Sequence, residues 1–189
     1  DITLACTDNY DFTQLDIYGT VVTEPNKVKD IIIQNDYHSG KVGTDGLAKD
    51  NCTVTVASSY KTDINCHTGF IYRTFVATDA NGLKDSCTQK ITILNPDPFD
   101  SFDIKWPNNY SADGCKLSQT SPDITGKPIF SNTQCGQISA TYDDTPFFAA
   151  DSACLKIFRV WTVIDWCQFN QSPTTGKWAP HTQIIKLHN

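Results

Sequence analysis

Apolar and polar positions alternate with a period of two along most of the chain, and almost nowhere with the period of a helix. Ile2-Thr3-Leu4-Ala5 and residues 53–57, 70–78 and 89–94 predict strands in the first half. Ile104-Lys105-Trp106 and residues 137–142, 155–164 and 182–187 predict them again in the second. Residues 21–33 could be forced onto a helix, but Pro25 would break it and Ile31-Ile32-Ile33 favours strand. Asp79-Ala80-Asn81-Gly82 and Asp143-Asp144-Thr145-Pro146 carry turn chemistry. Gly40, Gly43 and Gly46 predict a loop between Tyr37 and Asp50. Short strands separated by polar turns predict an all-β protein, and about 90 residues per set of strands fits an immunoglobulin-like sandwich.

The two sets of strands are related in sequence. Arg73-Thr74-Phe75-Val76-Ala77-Thr78-Asp79 lies over Arg159-Val160-Trp161-Thr162-Val163-Ile164-Asp165, a spacing of 86 residues. Thr88-Gln89-Lys90-Ile91-Thr92-Ile93 lies over Thr182-Gln183-Ile184-Ile185-Lys186-Leu187 at a spacing of 94, so the second copy carries eight extra residues within the polar stretch 168–180. Cys52-Thr53-Val54-Thr55-Val56 likewise resembles Cys135-Gly136-Gln137-Ile138-Ser139. Weak identity in consistent order predicts two tandem domains, residues 1–95 and 102–189. The linker 96–101 is marked by Asn95-Pro96-Asp97-Pro98, whose prolines cannot donate to a sheet.

The eight cysteines fall into two quartets: Cys6, Cys52, Cys66, Cys87, then Cys115, Cys135, Cys154, Cys167. None forms a C-x-x-C pair, which argues against a thioredoxin-type site or a zinc knuckle. An even number per half predicts disulfides and an oxidising compartment. In an antiparallel run of the strands 53–57, 70–78 and 89–94, Cys52 and Cys87 each begin a strand at one pole. Cys66 begins the middle strand at the other pole, and Cys6 ends the opening strand there. A 52–66 bridge would have to cross the length of a strand, whereas bridged Cα atoms sit within about 7 Å. The expected pairs are 6–66 and 52–87, and by analogy 115–154 and 135–167.

Charge excludes partners rather than naming one. Lys+Arg 15 against Asp+Glu 21 gives a net charge of −6, with no basic run for nucleic acid or an anionic membrane. The longest apolar runs are too short to span a bilayer as a helix. No G-x-S-x-G, H-E-x-x-H, P-loop or G-x-G-x-x-G is present, so no enzyme is expected. Asp8, Asp11 and Asp16, or Asp97 and Asp100 near the linker, could supply oxygens to calcium, though solvated turn acids are the ordinary reading. No other cofactor is indicated. Trp161, mid-strand and aligned with Phe75, is expected in the core. Trp106, Trp166 and Trp178, near strand ends or in loops, are candidates for stacking on sugars or for burial against the neighbouring domain. Arg73 and Arg159 at matched strand positions predict structural ion pairs beside an aromatic ring.

Phe102-Asp103-Ile104-Lys105-Trp106-Pro107 and Ser121-Pro122-Asp123-Ile124-Thr125-Gly126-Lys127-Pro128 resemble the opening of a module in giant surface proteins of Bacteroidota. Residues 154–167, closed by Gly176-Lys177-Trp178 and Thr182-Gln183-Ile184-Ile185-Lys186, continue the likeness. Those proteins are similar to hyalin-repeat (HYR) and immunoglobulin-like adhesins, exported by the gliding-associated type IX route. The likeness runs from about Phe102 to Leu187 and is looser over 1–95, where Asn81-Gly82 stands in place of Trp166-Cys167. It implies a non-catalytic repeat of a cell-surface fibre or adhesin, cut from inside a longer chain, with neighbouring copies as partners. In that phylum Asp151-Ser152-Ala153 would mark Ser152 for O-glycosylation. The alternative function is a carbohydrate-binding module that meets surface glycans through its loop Trp residues.

Overall fold

A computed structural model of the chain describes residues 1–150 and 153–188. Period-two patterning produces a predominantly β molecule that divides into two units, Asp1–Pro96 and Asp97–Asn189. Unit 1 runs through β1 (Ile2–Ala5), β2 (Val21–Val22), β3 (Asp30–Gln34), β4 (Ser39–Thr44) and β5 (Gly46–Leu47). Three long strands follow: β6 (Val54–Asn65), β7 (Thr68–Asp79) and β8 (Lys84–Leu94). Unit 2 contains β9 (Ile104–Lys105), β10 (Tyr110–Asp113), β11 (Ile129–Phe130), β12 (Ile138–Ala150) and β13 (Ala153–Asp165). It ends with β14 (Asn170–Gln171), β15 (Thr174–Thr175) and β16 (Lys177–His188).

Each unit has one four-stranded sheet, and the two share a topology. In unit 1 the order is β1-β8-β7-β6; in unit 2 it is β10-β16-β13-β12. The three long strands of each are antiparallel neighbours, whereas the opening strand lies parallel on the closing one. Ile2 pairs with Ile91 and Ala5 with Leu94 in unit 1; Tyr110 pairs with Ile185 and Asp113 with His188 in unit 2. The alternating pattern of β13, buried at every second residue from Ala153 to Asp165, sends one set of side chains inward and the other toward solvent. The inward face of unit 1 packs Ile2, Leu4, Ile71, Ile91 and Ile93 against Leu15, Tyr18 and Ile33 from the connecting segments.

Several expectations change in detail. Residues 143–146 lie inside β12 rather than in a turn, because their partners Val160, Arg159, Phe158 and Ile157 continue the β13 ladder. Pro146 is tolerated there because β12 is the edge of its sheet. The glycine-rich stretch is a hairpin, β3 with β4, followed by β5 paired with β2. Cys66 does not begin β7. Cys66 and His67, at φ of 50° and 62°, form the two-residue turn that joins β6 to β7. The polar insertion holds the small hairpin of β14 and β15 and the start of β16. All of the linker assigned to 96–101 except Pro96 belongs to unit 2, where Phe99 is buried in a cluster with Ile104 and Val163.

Candidate functional site

Outside the apolar cores, each sheet carries a buried arginine on its middle strand with a glutamine facing it. In unit 1 these are Arg73 and Gln89, in unit 2 Arg159 and Gln183, each pair in direct register. Both arginines and Gln183 are buried. A buried guanidinium must satisfy five donors, and here it does so on the connecting segment and the neighbouring strands. Arg73 Nη1 donates to the carbonyls of Leu15 (2.8 Å) and Gly19 and to Gln89 Oε1 (2.9 Å), while Nη2 meets Asp16. Arg159 donates to both carboxylate oxygens of Asp144 (2.7 Å each), to the Thr120 carbonyl (2.8 Å) and to Thr125 Oγ1 (3.0 Å).

The glutamines complete the clamp. Gln89 Nε2 donates to the Tyr18 carbonyl (2.6 Å), and Gln183 Nε2 to the carbonyls of Thr125 (2.7 Å) and Asn108 (2.8 Å). Tyr18 and Thr125 each precede a glycine that ends a short helical segment at positive φ, Gly19 (106°) and Gly126 (92°). Only glycine takes that conformation without strain. The clamp therefore fastens the same kind of turn to the same place on each sheet. The expected ion pairs beside aromatic rings are both present: Arg73 lies 4.8 Å from the Phe75 ring, and Arg159 lies 4.3 Å from Tyr142 and 5.8 Å from Trp161. The glutamines were visible in the aligned Thr-Gln pairs, but nothing short of the register shows that they reach across.

Six of the eight cysteines are disulfide-bonded: Cys6, Cys66, Cys115, Cys135, Cys154 and Cys167. Cys115–Cys154 forms as expected, with S–S 2.08 Å and Cα–Cα 5.7 Å. Cys6 follows β1 and its N–H donates to Leu94, while Cys66 sits in the turn beside Gly69, which pairs with Ile93. Both thus occupy one pole of the sheet. Cys135 and Cys167 flank the ends of β12 and β13 where Ile138 faces Asp165, again one pole. The expected 52–87 bridge is not formed, and both thiols are free and exposed. Cys87 lies inside β8 opposite Phe75, whereas Cys52 precedes β6, whose first residue faces Asp79. Four residues of strand separate those levels, about 13 Å, with β7 lying between the two strands. Where unit 2 has Trp166-Cys167 unit 1 has Asn81-Gly82, with no cysteine, and Cys87 is matched in register by His181 instead.

The other candidates disperse. Asp8 accepts from the Ala5 N–H and from Asn35, and Asp11 from Thr13 N–H and Oγ1. Those Thr13 hydrogen bonds, the backbone one first, hold the Asp11 carboxyl below its usual range. Asp97 accepts from Asn132, and Asp100 caps the turn Ser101–Asp103 through the Phe102 N–H. Among the described residues no three His, Cys, Asp or Glu side chains group as a metal site. Trp106 stacks on His181 at 4.5 Å and Trp178 packs edge-on to Phe99 at 5.1 Å, so both serve the interior of unit 2. Trp166 is exposed beside Phe169 (5.7 Å), with its N–H on Ser139. Trp161 is buried as expected. Ser152 lies outside the described residues.

The intramolecular disulfides mark an oxidising, extracellular-type environment. Among the described residues no helix is long and apolar enough to cross a membrane. No family model and no curated protein matches the chain.

Proposed function

We propose that the chain is a two-repeat stretch of a non-catalytic extracellular fibre or adhesive stalk at the cell surface, each unit an immunoglobulin-like β-sandwich. Its partners are neighbouring copies of the same repeat. The observation that carries this reading is the parallel pairing of β1 on β8 in unit 1 and of β10 on β16 in unit 2. A pull on the ends of a unit acts at opposite ends of one hydrogen-bonded pair and loads its bonds together in shear. Were the pair antiparallel, the same pull would unzip them one at a time. Such an arrangement suits a module that bears tension along a chain. The disulfides add to it: once β10 gives way, the pull passes from Cys115 directly to Cys154 and bypasses the chain between them.

A carbohydrate-binding reading is favoured by one observation, the exposed Trp166 beside Phe169. Flat aromatic faces are common platforms for sugars, and this pair is the part of the Trp set left open. Imaging and binding separate the two readings. Electron micrographs of the native surface material should show regular filaments, and Trp166→Ala should leave polysaccharide retention unchanged. Retention that disappears with Trp166→Ala, in material without filaments, would replace the stalk with a lectin.

A further inference from the structure

The outermost strand of the unit 1 sheet is an unbroken and unguarded edge. β6 lies last in the order β1-β8-β7-β6, and its 12 residues pair with β7 without a bulge, from Val54 opposite Asp79 to Asn65 opposite Thr68. Residues 57–63 are all exposed, on both faces of the sheet. The matching edge in unit 2, β12, is defended. Pro146 cannot donate to a further strand, and Asp143-Asp144 place two charges side by side on it. The place of Asp144, opposite Arg159, is taken in unit 1 by Tyr60 opposite Arg73. Arg73 draws its carboxylate from Asp16 on a connecting turn, which leaves β6 without that acid.

The turn that joins β6 to β7 fixes which backbone groups of this edge are free. Cys66-His67 closes on the Asn65–Thr68 pair, and in a two-residue hairpin that pair exchanges both hydrogen bonds. Counting back from it, Asp63, Lys61 and Ser59 turn their N–H and C=O groups toward β7. Ile64, Thr62, Tyr60 and Ser58 turn theirs outward, and among the described residues no backbone group outside the sheet bonds to them. Side chains alternate too: Tyr60 and Ile64 share the face of Arg73, and Lys61 and Asp63 lie on the other. Ile64 packs partly against the unit 1 core, while Tyr60 is 54% exposed and stacks on Phe12 at 5.8 Å.

We propose that β6 pairs antiparallel with β6 of a second copy of this chain, about a twofold axis at Thr62. The inference rests on the fibre reading for the presence of a neighbouring copy, and it names the surface through which two copies meet. Outward-facing positions pair with one another, so Thr62 meets its own counterpart and Tyr60 meets Ile64 of the second copy. The same register sets Lys61 opposite Asp63 twice, once on each side of the axis, in the closer pairs that lack hydrogen bonds. Charge selects it. An axis at Lys61 or at Asp63 would set like charges against each other, and one at Tyr60 would leave Lys61 opposite Ser59. The contact uses the same patch on both copies, so it closes on a pair.

Sedimentation of the full chain carrying Cys52→Ser and Cys87→Ser, which removes the free thiols, tests the pairing. This parent should dimerise with a dissociation constant below about 1 mM. Lys61→Asp and Asp63→Lys each oppose like charges at two places and should each weaken the dimer by about tenfold or more. Both positions are exposed, so circular dichroism should show the fold unchanged. Mixing the two variants, or joining both changes in one chain, should restore the dimer. A parent that stays monomeric at about 1 mM would overturn the proposal. So would a dimer that ignores these changes or is not restored by mixing. Charge-dependent pairing in material without filaments would keep the pairing and remove the fibre. Filaments built from a chain that fails the charge test would do the reverse.

Discussion

The two units share strand order, register and a buried arginine–glutamine clamp, yet they differ in how each arginine is answered. Arg159 meets Asp144 through two hydrogen bonds, and the Asp144 side chain is 29% exposed on the neighbouring strand β12. Arg73 meets Asp16, 71% exposed on a connecting turn, and relies more on carbonyl oxygens. The lesson is that the position fixes the guanidinium, because it must pin a turn to the sheet, while the counter-charge is free to come from wherever an acid can reach. A shielded carboxylate and a solvated one then contribute unequally.

Four measurements test that contrast, in falling order of effect. Arg159→Ala leaves Asp144, Thr120 and Thr125 without their partner and should cost unit 2 about 4 kcal/mol by chemical denaturation; a loss below about 1 kcal/mol would deny the clamp its role. Replacing both Cys115 and Cys154 with Ser releases a 39-residue separation and should cost unit 2 about 3 kcal/mol, with unit 1 unmoved. Asp144→Asn should cost roughly 2 kcal/mol, through weakened charged hydrogen bonds, and Asp16→Asn less than about 1 kcal/mol. Equal costs for the two acids would erase the distinction between the units.

The smallest effect is alkaline. Burial first, and then the charge of Asp8, raise the Tyr18 hydroxyl above its ordinary value of 10.0. A group raised in the folded state contributes stability that is full below its unfolded value and is lost as pH rises through the folded one. Unit 1 should therefore weaken above pH 10.0, and Tyr18 should ionise later than a free tyrosine in an ultraviolet titration. Thr125, which takes the same place in unit 2, cannot ionise, so unit 2 should lack this step.

Much of this was legible in the chain. Seven of the eight strands in the two four-stranded sheets follow from period-two patterning, while the strand expected at 104–106 is β9 outside that sheet and β10 is not anticipated; the repeat Arg73…Asp79 over Arg159…Asp165 anticipates the common topology. What failed did so for want of register. Asp143-Asp144 reads as a turn because aspartate favours turns locally, but a long partner strand overrides that preference and turns Asp144 toward Arg159. Cys87 looks like the mate of Cys52 because each is expected to begin a strand at one pole, whereas its place inside β8 is fixed by pairing with Phe75. Phe99 looks like linker because prolines surround it, and its burial depends on a floor formed by strands far along the sequence.

Single-molecule extension of the chain by its two ends addresses the load-bearing claim most directly. Shear loading of the β1–β8 and β10–β16 pairs predicts two discrete unfolding events. Reducing the disulfides should lengthen the unit 2 event by roughly 13 nm, the bypassed 39-residue separation at about 3.4 Å per residue. Gradual elongation without discrete events, or a unit 2 extension unchanged on reduction, would contradict it.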